Sequence, residues 1–393
     1  YVIPVRYAQA PLQRVQAATP GSLLGAMVRA FLVVALAMSV GLNILLLLAS
    51  LLSFDSLGLS SAAHTSIIES FHSGQRTAET KVAILHMDGV IMEGSNQFIR
   101  DQLDQAAEDP KVKAVVLRIN SPGGTITGSD DLHRRIVQLR DGKHPQQKGG
   151  PKPVIASMGA VAASGGYYIA MPTDYVFAEP TTITGSIGVY AAFPNVSKLA
   201  DKWGVSMNVI KAGDIKDSGS MFHDMSPQER QLWQEMVDNA YQRFIEVCET
   251  GRPELKGKFT EVVVEKDIPD RDETGKAKLG KSGQELVVKY IRRRADGGIW
   301  MADEAQKLGL VDKIGYLEAA IAKAKEKAQL GDCRVVQYEK PSLGLFSLLG
   351  GVQAPTPGGQ ISASQLSAGA TPRLWYLAPG AEMSGLLSAL GRE

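Results

Sequence analysis

"KAVVLRINSPGGTITG" occupies residues 113–128, and its two halves already imply an architecture. The first half, "KAVVLRI" (113–119), is a short apolar, β-branched run of strand length. The second, "NSPGGTITG" (120–128), follows the strand with Pro-Gly-Gly, so successive backbone N–H groups stand at a strand's carboxyl end with no side chains in the way. That is the equipment of an oxyanion hole, and equally of an ordinary glycine-rich turn. A phosphate loop is excluded, because no Gly-Lys-Ser/Thr ending follows.

Similar strand-length runs recur on both sides: "KVAILHM" (81–87), "PVIASM" (153–158), "YVFAE" (175–179), "GVYAAF" (188–193) and "SMNVI" (206–210). Helical patterns at 96–108, 129–139 and 196–203 separate several of them. This alternation predicts an α/β domain with largely parallel strands. A long helix is predicted over 226–249, with Ser226 as N-cap, Pro227 in its first turn and Glu229 completing a capping box. Leu232, Met236, Ala240, Phe244 and Val247 recur along it at helical spacing and are expected to face a core.

The 393 residues suffice for one or two globular domains, and the charge balance (Lys+Arg 42, Asp+Glu 41) gives no electrostatic reason to expect nucleic acid as a partner. The two cysteines, Cys248 and Cys333, have no CxxC spacing and no histidine placed to complete a zinc site. They are expected as separate buried thiols, and neither a metal nor another cofactor is expected. From Ala30 to Phe54 the chain runs without a charge, long enough for a helix to cross a hydrocarbon core of ~30 Å. The rival reading is a secretory signal peptide, but its apolar region is usually shorter. Arg6, Arg14 and Arg29 precede the run with no acidic residue, which predicts a cytoplasmic N-terminus and a remainder across the membrane. The expected organisation is a cytoplasmic segment 1–29, a transmembrane helix 30–54, a juxtamembrane linker 55–79, a catalytic domain 80–335 with a solvated charged insertion at 250–297, and a low-complexity tail 336–393.

Three further stretches bear on chemistry. "GAVAASGGYYIA" (159–170) sets Ser164 after a strand and at the start of a helix, where the N–H groups that follow favour developing negative charge. Small residues there also suit close helix packing, so by itself the stretch leaves nucleophile and packing site both open. A serine needs a base, and no histidine occurs between 145 and 222. His133 and His223 remain open as bases that approach in space. "KAGDIKDSGSMF" (211–222) offers Lys216, which becomes a base only if a closed site lowers its proton affinity. "TTITGSIGVY" (181–190) holds Ser186 in another glycine-flanked turn.

Taken in order, "NSPGG", "GAVAASGGYYIA", "TGSIGV", "KAGDIKDSGS" and "GGIWMADEAQKLGLVDKIG" (297–315) resemble the signal peptide peptidase A family, the membrane-bound Ser/Lys peptidases of bacteria, in its shorter single-core form. The likeness covers roughly residues 80–330, and "VAILHMDGVIMEG" shares its flavour. It implies a crotonase-like or Clp-protease-like α/β spiral of ββα units in place of a doubly wound nucleotide-binding sheet. It implies Ser164 as nucleophile, Lys216 as general base, Ser186 as the serine orienting that lysine, and the N–H groups of Gly124 and Gly165 as oxyanion hole. It further implies a bacterial inner-membrane endopeptidase with its catalytic domain outside the cytoplasm, apolar peptides such as cleaved signal peptides as substrates, and a ring- or dome-shaped homo-oligomer in which Ser164 and Lys216 can come from different subunits.

Two features depart from the family. The charged segment 250–297 is longer than its usual link, and the Ser/Gly/Pro/Ala-rich stretch after Pro341 carries apolar islands, "GLFSLLGG" and "RLWYLAPG", that need a partner surface. An island such as "LWYLAPG" is expected to occupy the substrate groove. Alternative readings are a related membrane peptidase cutting stomatin-like partners and a non-peptidase protein on the crotonase fold.

Overall fold

The computed structural model describes residues 30–36, 38–41, 43, 67–93, 96–340 and 374–377. The chain divides into two units, Tyr1–His64 and Thr65–Glu393. In the first, the described residues 30–36, 38–41 and 43 are helical, with apolar side chains such as Phe31 and Met38 exposed. Among the described residues no helix is long and apolar enough to cross a membrane. Residues 1–29 and 44–66, with the arginines that argued for orientation, lie outside the described residues.

The second unit begins β1 (Ile68–Gly74), β2 (Lys81–Asp88), α1 (Gln97–Glu108), β3 (Val112–Ser121), β4 (Gly123–Thr125), α2 (Ile126–Arg140), β5 (Val154–Ala163) and α3 (Gly165–Ala170). It continues through β6 (Tyr175–Ala178), β7 (Ile183–Gly185), β8 (Tyr190–Ala191), α4 (Ser197–Lys202) and the long α5 (Pro227–Gly251). It ends with β9 (Val262–Pro269), β10 (Val287–Arg293), β11 (Ile299–Met301), α6 (Ala302–Lys307), β12 (Lys313–Ile314), α7 (Leu317–Lys327), β13 (Arg334–Glu339) and β14 (Leu374–Leu377).

Nine strands form one sheet in the order β1-β13-β2-β3-β5-β6-β12, with β7 on the far end of β5 and β11 on β7. The inner pairings are parallel, from β13–β2 through β2–β3 and β3–β5 to β5–β6. Parallel strands need covered faces, which is why β2, β3 and β5 are apolar almost continuously instead of alternating. On one face Val82, Ile84, Val116 and Ile155 meet Ala320, Ile321 and Ala324 of α7. On the other, Leu85, Val115, Leu117 and Met158 pack beneath Leu103 of α1, Leu132 and Ile136 of α2, the whole of α3 and Phe244 of α5. Truncating one of the large members, such as Leu85, Leu117 or Ile136, to alanine costs about 2–5 kcal/mol.

Three expectations need correction. "SMNVI" forms no strand: residues 205–210 are irregular, with Val205, Met207, Val209 and Ile210 all exposed, since nothing in the described chain pairs with them. In the long helix the capping box is formed, Ser226 Oγ accepting the Glu229 N–H and Glu229 Oε2 accepting the Ser226 N–H. Its fully buried apolar residues, Phe244, Ile245, Val247 and Cys248, all lie in the C-terminal half, while Met236 is exposed, so helical spacing alone overstated the buried face. Thirdly, part of the segment read as a patternless linker is strand β1, antiparallel to β13 at the sheet's edge. Its "IESFHSG" has the polar texture of an edge strand and gave little apolar signal.

The charged segment 250–297 contains the β9–β10 hairpin, largely exposed, while Leu255, Phe259 and Ala295 around it join the main core. Cys248 and Cys333 are both buried and unbonded. Of the tail, β14 is described, and it runs antiparallel between β4 and β8. "GLFSLLGG" lies outside the described residues.

Candidate active site

Ser164 is the single residue between β5 and α3, and the chain turns there from strand to helix with φ 54° and ψ −118°. A left-handed φ without glycine costs about 1–3 kcal/mol and persists where the surroundings over-determine it. They do so here: the Ser164 N–H donates to Gly185 O (2.8 Å), and the Tyr168 N–H donates to Ser164 O (2.8 Å). Below, the Tyr167 hydroxyl donates to Leu310 O (2.8 Å) and the Tyr168 hydroxyl to Asp130 Oδ1 (2.6 Å). The Tyr168 ring is held edge-on by His133 and Phe244. Ser164 is 0% exposed, and its Oγ has no hydrogen-bond partner. A buried hydroxyl left unpaired at a strained position is uncommon and calls for a reason.

The two glycines are required by close approach. A Cβ on Gly165 would lie 2.4 Å from Ser129 Oγ and 3.1 Å from the Gly124 nitrogen; one on Gly124 would lie 1.8 Å from Ile91 O. Gly165 therefore sits with its backbone against Gly124, beside Ser164. The Pro-Gly-Gly stretch is a short strand, not a free turn, with Gly123 at φ 104°. Ile91 N–H donates to Gly123 O and Thr125 N–H to Ile91 O, both 2.8 Å. Strand alternation then turns the Gly124 N–H and C=O to the opposite side, where Tyr376 of β14 is its partner.

Ser186 reaches the same place through sheet register. Ala163 pairs with Gly185 in the parallel β5–β7 ladder, so Ser164 and Ser186 follow matched rungs, and both have positive φ (54° and 51°). Ser186 is 2% exposed; its N–H donates to Gly298 O (2.9 Å) and its Oγ to Gly297 O (3.2 Å). A cavity of ≈ 480 Å³ opens beside it, lined by Ser186, Tyr190, Tyr241, Gly297 and Leu377 among others.

Lys216 lies elsewhere. It occupies a turn, its N–H donating to Gly213 O (3.2 Å), and its side chain is exposed. Ser164 Oγ has no partner and the Ser186 hydroxyl is given to Gly297 O, so neither serine is bonded to the lysine in this chain. The structure thus assembles Ser164, Ser186, Gly124 and Gly165, and leaves Lys216 at the surface. Neither open histidine is bonded to Ser164 Oγ. Burial against Tyr168 pulls the His133 imidazole from its usual 6.5 to about 4, so it is neutral and part of the packing. His223 lies with Asp217 and Glu229.

That last cluster is what sequence reasoning missed. Asp217, His223 and Glu229 put one ligand atom each within 4.8 Å of one another, yet Glu229 reads locally as a cap and Asp217 as a neighbour of Lys216. Tyr168 and Asp130 were missed for the same reason, since their bond joins helices 38 residues apart.

This geometry can be set beside known proteins. The pattern described as Peptidase family S49 matches residues 146–262 and 281–331. A putative signal peptide peptidase SppA of Enterococcus faecium is 32% identical over 278 residues, 68% of this chain and 69% of that protein. A putative protease of Synechocystis is 32% identical over 240 residues, covering 61% of this chain and 72% of the relative. Protease 4 of Salmonella typhi is 30% identical over 287 residues, 70% of this chain but 40% of its own length. The mixed α/β fold with its parallel-rich sheet fits this group, and the chain belongs to peptidase family S49.

Proposed function

We propose that this protein is a membrane-anchored serine endopeptidase that cuts apolar peptides, cleaved signal peptides among them, on the extracytoplasmic side of a bacterial inner membrane. One observation carries the reading: a buried, unpartnered serine hydroxyl, held at a left-handed φ beside the backbone of Gly165 and Gly124. Ser164 Oγ attacks the scissile carbonyl, the Gly165 and Gly124 N–H groups receive the oxyanion, and neutral Lys216 takes the hydroxyl proton. Lys216 then protonates the leaving amine and activates the water that releases the acyl-enzyme.

The burial of Ser164 and the exposure of Lys216 support a dyad completed between subunits of a homo-oligomer with the ββα spiral fold. The cavity beside Ser186 is of a size to admit a lysine side chain, which that serine would then orient. Val205, Met207 and Val209, alternating and exposed, form an apolar edge of the kind a neighbouring subunit covers. The antiparallel seat of β14 between β4 and β8 supports an extended substrate bound as an added strand.

Ser164→Ala and Lys216→Ala, assayed on a fluorogenic apolar peptide in detergent micelles, are each expected to lower kcat by at least about 10³-fold. Fluorophosphonate labelling is expected to modify Ser164 in the wild type and to be lost in Ser164→Ala. Full activity in either variant overturns the assignment.

A further inference from the structure

We propose that Asp217, His223 and Glu229 form a binding site for a divalent transition cation, Zn2+ by its donor set. His223 Nε2 lies 3.4 Å from Asp217 Oδ2 and 4.0 Å from Glu229 Oε1. All three ligand atoms lie within 4.8 Å of one another; Zn2+ with nitrogen and oxygen ligands at about 2.0–2.2 Å holds tetrahedral neighbours about 3.4 Å apart, so the histidine–aspartate spacing already fits and Glu229 must close on the pair. The chemistry is one imidazole and two carboxylates, the mixture that suits zinc over magnesium or calcium.

Each of the three ligands has its other polar atom occupied. The Nδ1–H of His223 donates to Asp224 O (3.0 Å), so it is Nε2 that an ion would meet, once that nitrogen gives up any proton the two carboxylates favour there. Lys211 Nζ donates to Asp217 Oδ1 (2.5 Å), leaving Oδ2 turned to the histidine. The Ser226 N–H donates to Glu229 Oε2 (2.7 Å), leaving Oε1 on the same side. Glu229 is 3% exposed, and His223 Nε2 is a buried nitrogen without a hydrogen-bond partner. A cavity of ≈ 440 Å³, lined by Ser220, His223 and Arg230 among others, opens beside the histidine.

The ion would add a tie between the loop and the helix that follows it. Asp217 and His223 belong to the loop carrying Lys216, and Glu229 belongs to the first turn of α5. Trp233 Nε1 donating to Ser218 Oγ (2.8 Å) is a second link between them, so the Trp233 indole reports on the same junction. Any effect of the ion on catalysis rests on the Ser/Lys reading; binding does not, and it is measured without a substrate.

The test is calorimetric titration of the whole chain in detergent micelles, near neutral pH, with ZnCl2 and separately with MgCl2, while tryptophan emission is followed in the wild type and in Trp233→Phe, whose difference is the Trp233 signal. His223→Ala and Glu229→Gln are compared with wild type; glutamine keeps the capping bond, so helix loss is separated from ligand loss. The expected result is one Zn2+ per wild-type chain with a change in Trp233 emission, at least tenfold weaker binding in both variants, and no Mg2+ binding of comparable strength. A wild type that does not bind Zn2+, a variant that binds as tightly as wild type, or Mg2+ bound equally well would each overturn the site.

Discussion

The two halves of the candidate dyad sit in opposite surroundings. Ser164 stands on a platform of buried strands and a buried helix, over-determined by backbone bonds on both sides and by two tyrosines below it. Lys216 stands on a loop from 205 to 223 whose apolar residues face outward and whose ties are a handful of polar links. A nucleophile must be aimed to within a fraction of an ångström, which only a packed core achieves. A base can be delivered by an element that arrives later, from closure of a loop or from another subunit.

The largest effect expected from this contrast is complementation. Ser164→Ala and Lys216→Ala proteins, each inactive, are co-expressed and purified as mixed assemblies. Peptidase activity well above either parent follows if serine and lysine meet between subunits. A mixture as inactive as its parents would place both groups in one chain.

The platform itself is open to test through Arg252, which is 6% exposed and pairs with Asp312 at 2.6 Å, while Asp312 Oδ2 accepts the Val176 N–H. Removing the buried arginine leaves Asp312, 27% exposed, without its cation, so Arg252→Ala is expected to cost about 2–3 kcal/mol in urea unfolding, below the full figure for a wholly buried pair. A loss below about 1 kcal/mol would mean that the platform does not depend on this pair.

His133 gives the platform a pH dependence of its own. Its folded-state value, about 4, lies below the usual 6.5, so the unfolded chain binds more protons between those values. The stability that neutral His133 represents is therefore fully present above pH 6.5 and is lost as pH falls toward 4, by about 2–3 kcal/mol. His133→Phe, which keeps the ring contact with Tyr168, should show a shallower acid decline in its urea midpoint; parallel declines would contradict the burial assigned to His133.

The smallest effect concerns the groove. β14 occupies the strand position between β4 and β8. Deleting 341–393 is expected to raise kcat/KM for a peptide substrate several-fold, mainly through KM, because the substrate no longer competes with a tethered strand. Unchanged kinetics would mean that this strand does not stand in a substrate's place.

Much of the platform was legible from local pattern. "KVAILHM", "KAVVLRI" and "PVIASM" are buried parallel strands because their residues are apolar on both faces. Ser226, Pro227 and Glu229 gave the start of α5 because a cap is written within four residues. "SMNVI" misled because strand propensity reports only that a segment accepts a partner. Ser186 is legible locally as a serine in a glycine-flanked turn, but its position beside Ser164 rests on a register between β5 and β7 that no local spacing encodes.

By itself, the sequence determined the elements, their α/β order and the glycines that let backbones meet at Ser164, since caps, periodicity and φ > 0 are properties of short stretches. The tertiary structure decided the rest: Ser186 beside Ser164, β14 against Gly124, His133 against the Tyr168 ring, and His223 between Asp217 and Glu229. Each of these joins residues that the chain brings together only after its strands have paired and its helices have packed. Contact across such separations is fixed by burial and register, and burial and register belong to the whole fold.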